Sequence, residues 1–584
     1  MGSVRQADAA TSPRMARRAA TPARNLWLAT GLVGLLAAVV LWLAIGPLDR
    51  VTGDTDSAAS VLYFERIVHG QRLEAFVPTT PKPLLTVVYG LLWSATADWR
   101  APTLATIGAG SLAVALAARL AGRLAGMGAS AVIVVGLLAW PDFREEVANA
   151  NSFVWALALW LLAGLLMTAD RPRPWPAGAV LLLAGLARTE TIWILAAIAA
   201  CVVVVGLRAL RGGDRSALHT AWPLLLGALF VPVSCLHDWL LTGRPLYWLS
   251  VPSGYTALEA PGQASIPPLT TIEGQAAYYT PAAALVCLAV AGLLWLILSR
   301  RLALAFVLVS LVGGVLLALI YLAWKAVLLD PRYYQEADAP ILLLAAVGTA
   351  ASVTWVVEHV IGGGPARQCG RRLAAAAAAT VLALGVVVVD VPHEPLEPQL
   401  AGPVAGYSAL EPQIPTLRTI LAGAAGGVVD VAGVDYPVAD PRSCRVFVPR
   451  PFVPLISVET GAPVDALGDS FLAFRRGEYG VLHPGQYVLH IAAVDGRGGV
   501  YAPFEHSGGT VLAVAPGRTV LISPVYENVE GGVWLVRIDS ESGAGAGLPR
   551  GRYPARTSII GPVTTTSPSS SVGGAPSRPG RLIL

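Results

Sequence analysis

The sequence predicts a polytopic α-helical membrane protein with a soluble, strand-rich C-terminal domain, and three observations predict it. Hydrophobic residues make up 55% of the chain and charged residues only 13%, where ordinary soluble domains carry roughly a quarter charged residues. The apolar residues fall in repeated blocks of about 15 to 24, the length of helix that crosses a hydrocarbon core of about 30 Å. From Pro392 onward the composition changes to Gly, Pro and short β-branched runs such as Arg445-Val-Phe-Val, Tyr487-Val-Leu-His and Val533-Trp-Leu-Val-Arg, the pattern of strands separated by turns. A single soluble globule is excluded. So is a nucleic-acid binder, because the formal charge of +4 comes from 41 basic and 37 acidic residues and the basic ones cluster in short loops. The five cysteines, Cys201, Cys235, Cys287, Cys369 and Cys444, have neither CxxC nor metal-ligand spacing and predict no disulfide framework or zinc site.

Residues 1–25 form a polar, Arg-containing tail, and the apolar run that follows from Leu26 to Ile45 is too long for a signal-peptide core and ends in no small-residue cleavage site. It reads as a retained first span with a cytoplasmic N-terminus. Lys and Arg in short loops accumulate on the cytoplasmic side. That places Arg119 and Arg123, Arg171 and Arg173, Arg208, Arg211 and Arg215, Arg300 and Arg301, and Arg367, Arg371 and Arg372 inside. Between these points lie about eleven spans by the length rule, near 26–46, 101–118, 128–140, 152–168, 176–187, 191–207, 222–241, 282–299, 302–324, 340–357 and 373–390. The two short spans around Arg188-Thr-Glu190 form a hairpin with that tripeptide at its tip. An odd number of spans puts the C-terminus outside a plasma membrane crossed many times.

Two outer loops are too long to be connectors. The first, 47–100, contains partly apolar stretches at 58–68 and 84–95, expected as helices at the outer interface; the second runs over 242–280. The resulting division is a cytoplasmic tail 1–25, a membrane catalytic domain 26–390, an extracytoplasmic soluble domain 391–562 that starts as helix then strand over 417–431, and a low-complexity tail 563–584 predicted to be disordered.

Ionisable groups near a bilayer carry a solvation penalty, so their placement points to function. With this topology nearly all the polar and ionisable groups outside the Arg-rich loops fall on the outer side, among them Asp54, Asp56, Lys82, Glu145, Glu146, Asn151, Arg188, Glu190, Asp330, Arg332 and Glu336. Lysine occurs only at 82 and 325, against 39 arginines, so where Lys stands its compact ammonium is a candidate point ligand for a phosphate oxygen. Interface snorkelling is the competing explanation. Asp54-Thr-Asp56 places carboxylates directly after the first span, where they can accept a proton or bind a divalent metal; the competing reading is a turn and helix N-cap. For Arg188 and Glu190 the alternative is a structural ion pair, for His237-Asp238 a helix-end cap, and for the outer-loop aromatics an interfacial belt.

Taken in order, Asp54-Thr-Asp56, Gly70, Pro81-Lys82-Pro83-Leu-Leu, Ala187-Arg188-Thr-Glu190, Trp239-Leu-Leu-Thr-Gly-Arg-Pro-Leu-Tyr247 and Asp330-Pro-Arg332-Tyr333 resemble the GT-C superfamily of polyprenyl-phosphate-sugar-dependent glycosyltransferases, most of all its protein O-mannosyltransferase and aminoarabinose transferase branch. The resemblance spans about the first 350 residues, and its force lies in order and sidedness. It implies a GT-C-like membrane fold and transfer of a sugar from a polyprenyl-phosphate donor to a glycan, lipid or protein hydroxyl at the outer face. Asp56 would be the base or acceptor-orienting residue with Asp54 in support, Lys82 would contact the carrier phosphate, and Arg332 with Tyr333 would hold phosphate or sugar. Arg188, Glu190, Glu145, Glu146 and Asn151 would support the site. Where such enzymes often carry Asp in the second outer loop this chain has Asn151, which leaves a divalent metal on Asp54 and Asp56 open. The Arg-over-Lys, Ala/Gly/Pro-rich composition is that of a high-GC genome, an association that makes mannose or arabinose the candidate sugars. The alternative is a transporter or flippase for a lipid-linked glycan, which expects midplane charges, broken helices and repeated halves.

Overall fold

The computed structural model describes residues 13–45, 55–211, 216–259, 267–270, 283–325, 327, 335–360, 410–430, 434, 436–449, 452–469, 483–491, 511–515, 518–528 and 533–542. In its first 360 residues lie the helices α1 (Pro13–Ile45), α2 (Thr55–Val68), α3 (Pro83–Thr96), α4 (Arg100–Ala125), α5 (Met127–Ala139), α6 (Pro141–Ala148), α7 (Ser152–Met167), α8 (Pro174–Ala187), α9 (Thr191–Leu210), α10 (Ser216–Ala221), α11 (Phe230–Thr242), α12 (Tyr247–Glu259), α13 (Ala283–Leu298), α14 (Leu302–Trp324) and α15 (Gln335–Val360), with a 3₁₀ segment over Trp222–Leu229. Proline opens α3, α6 and α8, where its missing N–H has no partner to lose and its fixed φ suits the first turn. By contacts the chain divides into two units. One comprises Met1–Leu48, Lys82–His237 and Gly262–Glu394; the other comprises Asp49–Pro81, Asp238–Pro261 and Pro395–Leu584. This division cuts across the linear one, because parts of both long loops join the C-terminal residues.

The first unit is a helical membrane body. Among the described residues six helices are long and apolar enough to cross a bilayer: Leu28–Ile45, Arg100–Ala125, Thr191–Leu210, Leu218–Thr242, Leu302–Trp324 and Glu336–Val356. The pair α5 and α6, bent by 62°, makes a seventh if counted as one span. Shorter apolar helices, Ser152–Met167, Pro174–Ala187 and Ala284–Leu298, stand where further spans are expected, while the expected span 373–390 lies outside the described residues. The α4 stretch is central, 78% buried, whereas the α1 stretch is 11% buried and presents Leu32, Leu35, Leu36 and Leu43 outward, a row of side chains that only hydrocarbon accommodates without cost. The core joins Leu41 of α1, Val114 and Ala121 of α4, Phe153 and Val154 of α7, Ala184 of α8 and Val347 of α15.

One expectation is corrected here. Arg119 and Arg123 do not sit in a loop: α4 runs past both and ends at Gly126, whose φ of 87° an L side chain resists. The helix can continue because each guanidinium finds a polar partner: Arg119 donates to Thr30 Oγ1 (3.4 Å) and Arg123 to the Leu165 carbonyl (3.0 Å). Arg301 in turn donates to the Arg123 carbonyl (3.2 Å), so the arginines 123 and 301 meet at one end of the unit and satisfy the free carbonyls of helix C-termini.

In the second unit, α16 (Ile414–Leu421) is followed by β1 (Val428–Val429) and β2 (Val438–Ala439), then β3 (Val446–Val448), α17 (Val453–Thr460), β4 (Leu467–Asp469), β5 (Tyr487–Ile491), β6 (Val511–Ala515), β7 (Arg518–Asn528) and β8 (Val533–Ser542). The mixed start of helix then strand and the three quoted strand motifs are found where the sequence places them. β1 and β2 form a two-stranded pair, and the rest a six-stranded sheet ordered β4-β3-β5-β8-β7-β6, with β3 parallel to β4 and β5 and the remaining pairs antiparallel. Val446, Phe447 and Val448 are all buried, as the parallel part of a sheet covered on both faces requires. The tail 563–584 lies outside the described residues.

Helices α13 and α15 touch backbone to backbone at two glycines. A Cβ on Gly292 would stand 1.9 Å from the Leu344 carbonyl oxygen, and one on Gly348 2.0 Å from that of Leu288, the small-residue contact by which membrane helices approach closely. Gly348→Val should therefore force the pair apart at a cost of about 1–3 kcal/mol, read as a lowered thermal unfolding midpoint in detergent. Gly313→Val on α14, a position with open space, should leave the midpoint nearly unchanged.

Candidate active site

Asp56 stands in the first turn of α2, where the helix dipole favours a carboxylate, and it is only 8% exposed. Ser60 one turn on donates to its carbonyl (2.8 Å). Beside it in the second unit lie Tyr63, fully buried on the same helix, and Asp238 of α11, 1% exposed. Burial pushes the Tyr63 phenol well above its ordinary range, and the nearby Tyr247, Asp56 and Asp238 push it further, so it remains neutral and donates a hydrogen bond to the Thr79 carbonyl (2.6 Å). Asp238 Oδ2 accepts from the Trp248 backbone N–H (2.7 Å). The helix-end reading of His237-Asp238 thus holds in a different form: the aspartate lies inside α11 and caps the start of the following helix, α12. Just past the end of α2, Gly70 has a φ of 64°, a left-handed position suited to glycine, which turns the chain into the irregular segment leading to Lys82.

Lys82 is the half-buried N-cap residue of α3, with φ −129° and ψ 91°. Its carbonyl accepts from the Thr86 N–H (2.9 Å), and Pro83 follows at the first helical position. An ammonium beside the positive end of a 14-residue helix is a favourable place for a phosphate oxygen.

In the first unit, the hairpin tip predicted from 188–190 is the centre of a buried polar cluster. Arg188, 6% exposed, ends α8 and forms an ion pair with Glu336, which is fully buried in the first turn of α15, and a second with Glu190 (3.5 Å). It also donates to Asn151 Oδ1 (3.0 Å) and Ser152 Oγ (3.1 Å). Asn151 has a double role, because the same Oδ1 accepts from the Phe153 N–H (3.0 Å) as the N-cap of α7. The turn before it is held in place: Ala150 has φ of 50°, uncommon for a residue with a Cβ, and its carbonyl accepts from Tyr89 Oη (2.7 Å). That hydroxyl is bonded to Thr106 Oγ1 (2.7 Å) and accepts from Trp155 Nε1 (3.1 Å). Glu146, 5% exposed on α6, offers its carbonyl to the Asn151 N–H (2.9 Å), and Glu145 does the same for Asn149 (2.8 Å). Asn151, Arg188, Glu190 and Glu336 stand at helix ends. They lie at the opposite end of the unit from Arg123 and Arg301, since α7 begins at Asn151 and its far end offers Leu165 to Arg123.

Of the expected site residues, Asp56 is found in the second unit, while Lys82 and the set Glu145, Glu146, Asn151, Arg188 and Glu190 are found in the first. Asp54, Arg332 and Tyr333 lie outside the described residues. Glu336, Asp238, Tyr63 and Tyr89 were not singled out as site residues from the sequence. The acidic first turn of an apolar helix pointed to Glu336, whereas nothing local distinguishes Tyr63 or Tyr89. Among the described residues no three His, Cys, Asp or Glu side chains form a metal-ligand set.

The fold and these clusters define a polytopic α-helical membrane protein with a buried polar cluster centred on Arg188. No family model matches the chain and no curated protein matches it. Among solved structures it is similar to ArnT from Cupriavidus metallidurans bound to undecaprenyl phosphate, at 13% identity over 87% of this chain and 97% of that one, with a TM-score of 0.47. It is also similar to the apo oligosaccharyltransferase of Archaeoglobus fulgidus, at 13% identity over 80% and 70% of the two chains, with a TM-score of 0.44. A likeness at this level assigns no residue of this chain a role.

Removing one side of a buried ion pair leaves the other charge without its partner and costs about 3–5 kcal/mol. Glu336→Ala should therefore lower the thermal midpoint strongly. Arg188→Met combined with Glu336→Leu should recover part of that loss; a double variant that loses the sum of the single effects would mean that the pair is not energetically coupled.

Proposed function

We propose that this chain is an integral membrane glycosyltransferase that moves a sugar from a polyprenyl-phosphate donor to a hydroxyl acceptor at the outer face of a plasma membrane, in cell-envelope glycan or glycoprotein assembly. The observation that carries the reading is Asp56: a buried carboxylate in the first turn of a helix that follows a membrane span, in an ordered series with Gly70 just past the helix end and Lys82 at the N-cap of α3. In this reading Asp56 takes the proton of the acceptor hydroxyl as it attacks the anomeric carbon. Lys82 and the α3 N-terminus stabilise charge that develops on the departing carrier phosphate. Arg332 and Tyr333 add contacts to phosphate or sugar, and the Arg188, Glu190, Asn151, Glu145 and Glu146 set supports the site. Mannose and arabinose are the candidate sugars. Residues 391–562 are proposed as the extracytoplasmic domain, with the N-terminus cytoplasmic.

A second reading, a transporter for a lipid-linked glycan, draws on the 62° break between α5 and α6, since broken helices mark many transport sites. Transfer assays separate the two. The purified chain in nanodiscs, given radiolabelled polyprenyl-phosphate sugars and a membrane extract as acceptor, should transfer from one donor. Asp56→Asn should lower kcat by about a hundredfold or more with an unchanged thermal midpoint, and Lys82→Ala should chiefly raise the donor KM. Absence of transfer from every donor by folded protein, together with flipping of a lipid-linked sugar in vesicles, would establish the transporter reading instead.

A further inference from the structure

Residues 71–79 run as an irregular segment in the second unit, with bends at 74–75 and 78–79 and no place in a helix or sheet, yet Leu73, Ala75, Phe76 and Val77 are buried. A buried loop must have its backbone groups satisfied. Three tyrosines from three different parts of the sequence serve its carbonyls. Tyr63 of α2 donates to Thr79 (2.6 Å), Tyr247 of α12 donates to Val77 (3.1 Å), and Tyr436, just before β2, donates to Leu73. Tyr247 Oη also accepts from the Val77 N–H (3.4 Å). Two further amides are committed: Leu73 donates to the Leu241 carbonyl (2.9 Å) and Phe76 to that of Pro437 (2.8 Å). One carboxylate completes the set. Glu74 accepts from the Val464 N–H (3.3 Å) and pairs with Arg66 of α2 (3.3 Å), whose guanidinium also donates to Gln71 (3.1 Å) and to the Ala462 carbonyl (3.5 Å). Phe76, Tyr247 and Tyr436 stack edge to face in sequence, with Arg244 over the Tyr436 ring.

We infer that this segment is a clamp through which the C-terminal region fixes the orientation of α2 and so of Asp56, with Tyr436 and Glu74 as positioning residues; the inference rests on the transferase reading above. Its physical basis is that α2 packs directly on α17 and the clamp adds directed polar bonds to that packing: Arg66 reaches Ala462, and Glu74 joins Arg66 to Val464. A base must be held to a fraction of an ångström to act on an acceptor hydroxyl. Helix α2 alone, 14 residues long, is too short to hold itself rigidly. The C-terminal region is on this view part of the catalytic apparatus rather than an appended binding module.

The test uses the full chain in nanodiscs and the variants Tyr436→Phe and Glu74→Ala. Tyr436→Phe keeps the stacked ring and removes only the hydroxyl. Amide hydrogen exchange at residues 73–79 should accelerate in both variants while α4 keeps its protection. The rate of transfer per polyprenyl-phosphate-binding site should fall about fivefold, the worth of about one neutral hydrogen bond, with the donor KM and the number of sites per chain unchanged. A merely structural role would lower the number of sites in step with the rate. Unchanged exchange at 73–79, or faster exchange with a wild-type rate per site, overturns the inference. A wild-type chain that binds polyprenyl phosphate but transfers from no donor overturns the transferase reading, and with it the positioning role, whatever the exchange data; that failure is recognised without either variant.

Discussion

The helical body of this protein depends on one guanidinium. Arg188 ends a helix where water is largely excluded, and a cation there is tolerable only if anions and carbonyl-type oxygens surround it. Glu336, Glu190, Asn151 and Ser152 do so, and in meeting that demand they tie the starts of α7 and α15 to the hairpin between α8 and α9. Asn151 couples this electrostatic requirement to a backbone one, because the oxygen that faces Arg188 also caps α7. The strained turn at Ala150 and the Tyr89 hydroxyl that holds it serve the same alignment. At the opposite end, arginines answer helix carbonyls instead, so both ends of the bundle are closed by polar bonds while its flanks stay apolar.

The same rule, that buried backbone must be satisfied, governs the second unit by other means. There the irregular segment 71–79 belongs to no sheet, and tyrosine hydroxyls substitute for a ladder. Burial keeps the phenols of Tyr63, Tyr247 and Tyr436 protonated by raising them above their ordinary range, so they remain donors. A tyrosine suits this work because its ring contributes apolar area while its hydroxyl reaches a carbonyl. Sequence distance is immaterial to it: Tyr436 answers a residue 363 positions earlier.

How much of this was legible beforehand differs by residue. Asp56 and Lys82 could be picked out because each breaks a local habit, one as a carboxylate directly after a span, the other as one of two lysines in a chain of arginines. Arg188 and Glu190 stood out at a hairpin tip between two short apolar runs. Glu336 was visible as an outer-side charge but its partner was not, since nothing in the sequence pairs residues 188 and 336. Asp238 was read as a cap, and the helix it caps was legible only once the chain turned back at Gly243. Tyr63, Tyr89 and Tyr436 carried no signal, because an aromatic residue in an apolar or turn-rich stretch looks the same whether its hydroxyl is committed or not.

By itself the sequence determined the membrane class, the apolar helices and their punctuation, the strand-rich C-terminal region and the order of its polar motifs, because hydrophobic length, helix-breaking residues and strand periodicity are local properties that act over a few turns of chain. Only the tertiary structure decided which buried polar groups meet, that Arg119 and Arg123 lie on a helix, and that the first long loop folds with residues from the second and from beyond 395. Those outcomes follow from pairing buried donors with buried acceptors, a condition that joins residues hundreds of positions apart and leaves no periodic trace along the chain.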